Sequence, residues 1–83
     1  MPYQAPYYHY EEGVVPGQYI VMFYKGHTLA KHFTFLGREF DLMCTYTPDW
    51  GYCADLDDQL FDVVRRDPGV ELVQDNFNFE DTD

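Results

Sequence analysis

The sequence predicts an α+β domain, a ferredoxin-like βαββαβ sandwich in which a four-stranded antiparallel sheet carries two helices on one face. Three observations predict it. Apolar and β-branched runs with strand periodicity alternate with two capped, amphipathic helical segments in the order strand, helix, strand, strand, helix, strand. Right-handed crossovers of that order place both helices on the same side of the sheet. The chain has 83 residues, enough for one core but not two.

Residues 1–18 hold Pro2, Pro6, Pro16, Gly13 and Gly17 among four tyrosines. The prolines oppose a regular helix or central strand, so this Tyr/Pro-rich arm is expected to be a flexible leader. The domain proper is expected over residues 19–79. Tyr19-Ile20-Val21-Met22-Phe23-Tyr24 is an aromatic and β-branched strand ended by Lys25-Gly26. Thr28 caps a short helix with Leu29, Phe33 and Leu36 on one face, stopped by Gly37. The run Phe40 to Tyr46 alternates with Phe40, Leu42, Cys44 and Tyr46 on one side, and Thr47-Pro48-Asp49 turns the chain. Trp50 to Leu56 returns with Tyr52, Ala54 and Leu56 facing together. Asp57 caps the second helix, whose buried stripe is Leu60, Phe61 and Val64. Arg65 and Arg66 suit its C-terminal dipole, and Pro68 ends it. Val70 to Phe79 is the last strand, and residues 80–83 form an acidic tail.

Composition limits function. The chain is 46% hydrophobic and 19% aromatic, which supports a packed core. Five basic residues against fifteen acidic ones give a net charge of −10, a field that repels nucleic acid and anionic membrane. No run of about 18 apolar residues occurs, and residues 1–13 carry no secretory pattern, which points to a cytoplasmic protein with free thiols. Strict alternation would send Cys44 and Cys53 to opposite sheet faces.

No phosphate-binding glycine loop, nucleophile elbow or zinc-protease motif is present, so no catalytic residue, metal ligand or cofactor is assigned. His27 and His32 stand five apart, off the i, i+4 spacing of a helical metal pair, and are expected to be surface imidazoles. Asp55, Asp57, Asp58 and Asp62 cluster where capping acids belong.

The order of these elements, with Tyr19-Ile20-Val21, Phe40-Asp41-Leu42, Gly51-Tyr52-Cys53-Ala54-Asp55-Leu56 and Asp67-Pro68-Gly69-Val70-Glu71-Leu72-Val73, resembles the subtilisin-propeptide family of peptidase inhibitors. It is most similar to stand-alone fungal inhibitors of vacuolar subtilisin-type proteases. The resemblance covers residues 19–79. It implies the same fold and a docking mode: the open sheet face meets the protease surface, and the C-terminal segment enters the active-site cleft as an extended strand. The implied protease contacts are Gln74, Asn76, Phe77, Asn78, Phe79, Glu80, Asp81, Thr82 and Asp83. Gln74 and Asn76 stand where the family commonly carries a glutamate and an aspartate, leaving hydrogen bonding in place of charge.

The function this implies is inhibition, or assisted folding, of a subtilisin-like serine protease. The alternative is a small enzyme, or a subunit that assembles one, around an aromatic-lined pocket drawn from Tyr24, Phe33, Phe35, Phe40, Trp50 and Phe77. A second copy of the chain is the other partner that an uncovered sheet face admits.

Overall fold

The computed structural model describes residues 3–10, 12–46 and 50–77. Among these residues seven elements follow one another: β1 (Tyr7–Tyr8), β2 (Val14–Phe23), α1 (Leu29–Leu36), β3 (Cys44–Tyr46), β4 (Gly51–Asp55), α2 (Asp58–Val64) and β5 (Val70–Phe77). The fold is α+β, as expected, but the sheet is not the expected four-stranded antiparallel one. It has five strands in the order β1-β5-β2-β4-β3. The pairs β2–β4, β2–β5 and β3–β4 are antiparallel, and β1 lies parallel to β5.

The fifth strand comes from the segment expected to be a leader. Tyr7 and Tyr8 pair with Val73 and Gln74. The backbone of Ala5 donates to Arg65 O at 2.7 Å, Arg65 Nε donates to Ala5 O at 2.9 Å, and Val73 N donates to Pro6 O at 2.9 Å. Ala5 is fully buried in the core. Two carboxylate oxygens of Asp75 hold the same segment, through the Tyr7 hydroxyl and the Tyr10 backbone N–H. His9 Nδ1 stands 2.7 Å from Asp75 Oδ2. The prolines do not prevent this, because an edge strand needs only its inward-facing groups.

β2 also begins earlier than its hydrophobic run suggests. Val14 pairs with Phe77 and Tyr19 with Asp75, so the ladder carries a bulge between them. Pro16 has no N–H to offer, and Gly17 takes φ +80°, a left-handed conformation suited to glycine. A strand tolerates its proline where the ladder is interrupted.

Both helices cover one face. Tyr19, Val21 and Phe23 alternate along β2; Phe61 of α2 packs on Tyr19 with ring centroids 4.7 Å apart, and His32 of α1 packs on Phe23 at 5.1 Å. Val21, Tyr52, Ala54, Leu56, Val64, Val70 and Val73 fill the space between. The predicted caps form: Thr28 Oγ1 accepts from Lys31 N, Asp57 Oδ1 accepts from Leu60 N at 2.7 Å, and Gly37 closes α1 at φ +77°. Arg65 and Arg66 fall just beyond α2, where Arg66 pairs with Asp62 on the surface.

The run Phe40 to Tyr46 departs from its predicted alternation. Only Cys44–Tyr46 is strand, and Phe40 packs on Phe33 and Tyr52, on the helix side. The chain bends at Met43, and Cys44 and Tyr46 then pair opposite Cys53 and Gly51. Those positions share the other face with Ile20 and Met22. Gly51 is required at its place, since a Cβ there would stand about 2.0 Å from Val21 O.

Tyr7→Phe should test whether the N-terminal segment is structural. Losing a hydrogen bond to a buried carboxylate costs about 2 kcal/mol, a fall in Tm of roughly 10 °C for a domain this size. An unchanged urea midpoint would show that the Tyr7–Asp75 bond adds nothing to stability.

Candidate functional site

Two places on the molecule concentrate chemistry. The first is a group of polar side chains under α1. Thr28 starts the helix so that His32 projects into the core, where it is 0% exposed. His27 sits just before the cap, its ring edge-on to Phe23. Asp67 arrives from the turn after α2, held by its own bond to Gly69 N at 2.9 Å. Asp67 Oδ2 lies 2.8 Å from His27 Nε2 and 2.7 Å from His32 Nδ1. A carboxylate only accepts, so both nitrogens carry protons. Neutral His32 then offers a lone pair on Nε2, which accepts from the Tyr52 hydroxyl at 2.8 Å. Tyr52 belongs to β4 and is fully buried.

The electrostatics agree with that proton arrangement. Burial is the largest influence on His32 and holds its pKa below the usual value, against the opposing pull of Asp67. Burial alone would raise Asp67, but hydrogen bonds from His32, Gly69 and His27 outweigh it and hold the carboxyl below the usual range. Burial pushes the Tyr52 phenol upward, with Asp67 adding to the effect. The expectation of surface imidazoles is therefore wrong for His32. The sequence signal was present in Thr28 and Leu29, since a helix starting there turns His32 inward with Leu29 and Leu36.

The ligating atoms of His27, His32 and Asp67 lie within 4.8 Å of one another, the donor set of a two-histidine, one-carboxylate metal centre. The 2.7–2.8 Å contacts are hydrogen-bond lengths, with protons standing between the atoms. The group fastens α1, β4 and the turn before β5 to one another. It does not present a nucleophile, because Tyr52 is sealed from solvent.

Among the described residues, aromatic side chains of the alternative reading line two separate clefts. Tyr24 and Trp50 line a cleft of about 610 Å³ with Phe23, His27 and Glu71. Phe33 lines a different cleft, of about 630 Å³, with Arg38 and Glu39. Phe35 is 48% exposed, and Phe40 packs inside between Phe33 and Tyr52. Phe77 ends β5, opposite Val14.

The second place is the sheet face away from the helices. Ile20 pairs with Cys53 and Gln74, and Met22 with Gly51 and Leu72, so these side chains share one surface. Ile20, Met22, Leu72 and Gln74 are half-buried, and no helix among the described residues covers them. Of the expected protease contacts, Gln74 lies on this face and Asn76 follows two positions on, its Nδ2 donating to Gln18 Oε1 at 3.2 Å. Phe77 closes the strand; Asn78, Phe79, Glu80, Asp81, Thr82 and Asp83 lie outside the described residues.

Cys44 and Cys53 are free thiols, but the expectation that they point to opposite sheet faces is corrected, because the bend at Met43 resets the alternation of β3. They stand directly opposite one another on this same face. Burial, with Cys44 beside it, pushes the Cys53 thiol up to about 11.

No protein-family model and no curated protein matches the chain. No helix among the described residues is long and apolar enough to cross a membrane.

The histidine group gives stability a definite pH dependence. Above about pH 6.5 His32 is neutral in both folded and unfolded chains, so the contribution is constant. As pH falls below that value, the unfolded imidazole takes up a proton that the buried one resists, and stability drops. Asp67, held below the usual carboxylate range, adds a second decline below about pH 4. Urea midpoints should be flat between about pH 7 and 8, fall progressively in acid, and fall again in alkali where the unfolded Cys53 thiol and tyrosines ionise before the buried ones. A profile flat from pH 7 to 4 would show that His32 can be charged in place.

Gly69→Ala probes the same group by packing. A Cβ at Gly69 would fall 2.3 Å from His27 Nδ1 and 2.4 Å from its neighbouring ring carbons. Overpacking of this kind costs about 1–3 kcal/mol. Most of that loss should vanish in a His27→Ala background, which a double-mutant cycle measures directly.

Proposed function

We propose that the chain is a non-catalytic binder of a subtilisin-like serine protease, acting as an inhibitor or folding assistant. It docks by the open sheet face and directs its C-terminal segment into the active-site cleft as a ferredoxin-like propeptide domain would. The observation that carries this reading is the uncovered face itself. Both helices pack on Tyr19, Val21 and Phe23, which leaves Ile20, Met22, Leu72 and Gln74 as an uncharged surface with no helix over it among the described residues. Covering such a surface gains roughly 25 cal/mol for each Å² of apolar area removed from water.

The placement of the resemblance residues supports the same reading. Tyr19-Ile20-Val21 lies in the central strand β2, Gly51 to Asp55 forms β4, and Asp67-Pro68-Gly69 turns into β5. β1 ends at Tyr8, opposite Gln74, so Asn76 and Phe77 continue past its last partner. The segment that follows can add as a strand to a cleft while the prefolded domain limits the ordering cost.

The test is inhibition of a panel of subtilisin-type proteases by the purified chain. Inhibition is expected at or below micromolar concentration. Removing residues 79–83 should weaken it at least tenfold, about 1.4 kcal/mol. Met22→Asp should weaken it as well, with the circular dichroism spectrum unchanged. A chain that inhibits none of the panel at micromolar concentration, or whose inhibition survives both changes, overturns the reading.

A further inference from the structure

Three sulfur atoms that this proposed function does not use come together at the β3–β4 end of the open face. Cys44 and Cys53 are cross-strand partners, and directly opposite residues of an antiparallel pair have Cα atoms only about 4.5–5.5 Å apart. The bend before β3 breaks the alternation of the strand and returns the Met43 thioether to the same spot. Met43 N donates to Cys53 O at 2.7 Å, and Cys53 Sγ stands 4.0 Å from Met43 Sδ. One wall of this cluster is dry and the other is open: Cys53 is 3% exposed and Met43 50% exposed, and Cys44 also reaches solvent.

The geometry points to a binding site for a soft monovalent cation, Cu(I), held by the Cys44 and Cys53 thiolates and the Met43 thioether. Thiolate and thioether sulfur select Cu(I) over the harder divalent ions, which prefer imidazole and oxygen. With metal–sulfur bonds of about 2.3 Å, three sulfurs spaced evenly around one ion stand about 4.0 Å apart. The Cys53–Met43 separation already has that value. The half-open position supplies an entry path through the Cys44 side, while the buried Cys53 side excludes water from the bound ion.

A disulfide would use the same two cysteines, but it would leave the Met43 approach without a role and would need an oxidant. Metal binding needs neither. Cu(I) enters as Cu(I), two S–H bonds give up their protons to solvent, two metal–thiolate bonds and one metal–thioether bond form, and the neutral site ends with one net negative charge while no electron moves. The histidine–aspartate group offers nitrogen and oxygen donors already committed to hydrogen bonds with one another, and it is a poorer match for the same ion.

The experiment uses the full chain, reduced and under anaerobic conditions, titrated with Cu(I) against a chromophoric Cu(I) chelator. One ion per chain is expected, and equimolar Zn²⁺ should not displace it. Met43→Leu preserves bulk at a half-exposed position and should weaken binding at least about tenfold, the loss of one of three ligands. Cys44→Ser, also exposed, should abolish competition with the chelator. Sulfur-only coordination in the X-ray absorption spectrum should accompany binding. The assignment is overturned if the wild-type chain retains no Cu(I), if either variant binds as the wild type does, or if Zn²⁺ displaces the ion. Circular dichroism confirms that both variants keep the fold. Because the measurement uses the free chain, failure of protease inhibition leaves it unaffected, and the reverse also holds.

Discussion

Asp67 is the constraint on which the rest of the structure depends. A carboxylate that is 2% exposed must be fully hydrogen-bonded, since an unpaired one costs several kcal/mol. Its partners come from three directions: His27 before α1, His32 within α1, and Gly69 in the turn before β5. Through His32 the network reaches Tyr52 in β4. Each partner fixes another choice. Gly69 is required because a side chain would occupy the His27 ring, and His32 must be neutral so that its second nitrogen can accept from Tyr52. Hydrophobic contacts alone would let the short helix α1 slide along the sheet. The directional bonds of this group set its register.

The other buried carboxylate solves the same problem at the opposite edge. Asp75 is 5% exposed and faces the Tyr7 hydroxyl, the Tyr10 N–H and His9. Those bonds hold its pKa below the usual carboxylate range although burial acts to raise it. In satisfying Asp75 the N-terminal segment becomes a strand, and β5 becomes an internal strand over part of its length. A domain of this size has little stability to spare. It gains here from residues that hydrophobic periodicity does not mark as part of the core.

That explains which parts were legible in the sequence. Caps are local, so Thr28, Gly37 and Asp57 could be recognised from their immediate neighbours. The core positions Tyr52, Ala54 and Leu56 followed from period-two alternation. The added strand β1 was not legible. It is only Tyr7–Tyr8, and its stability comes from Asp75, 68 positions away from Tyr7. The buried His32 was missed because its partners Tyr52 and Asp67 lie 20 and 35 positions away. The bend at Met43 shifted Cys44 and Tyr46 to the open face, since one irregular residue reverses every later side chain in a strand. The open sheet face followed from the other half of the same alternation, Ile20 and Met22. The acidic tail lies outside the described residues.

The distribution of charge gives that face its character. Fifteen acidic residues against five basic ones would make most surfaces costly to bury against another protein. Among the paired residues of the open face, Asp55 is the one acid, at the corner opposite Gln18. The centre is Ile20, Met22, Leu72 and Gln74, bordered by the cysteine pair. The acids elsewhere line helix starts and solvated edges, where they complement helix dipoles, or are buried with hydrogen-bond partners as Asp67 and Asp75 are. A partner covering the sheet therefore desolvates amides and aliphatic carbon, with few carboxylates to strip of water. The surrounding negative field still acts at longer range, favouring a partner whose rim is basic and disfavouring a second copy of this chain, whose own charge of −10 repels it. The apolar face thus selects for contact and the charge selects against self-association. On the reading proposed above, the two together would favour a different protein over a face-to-face dimer.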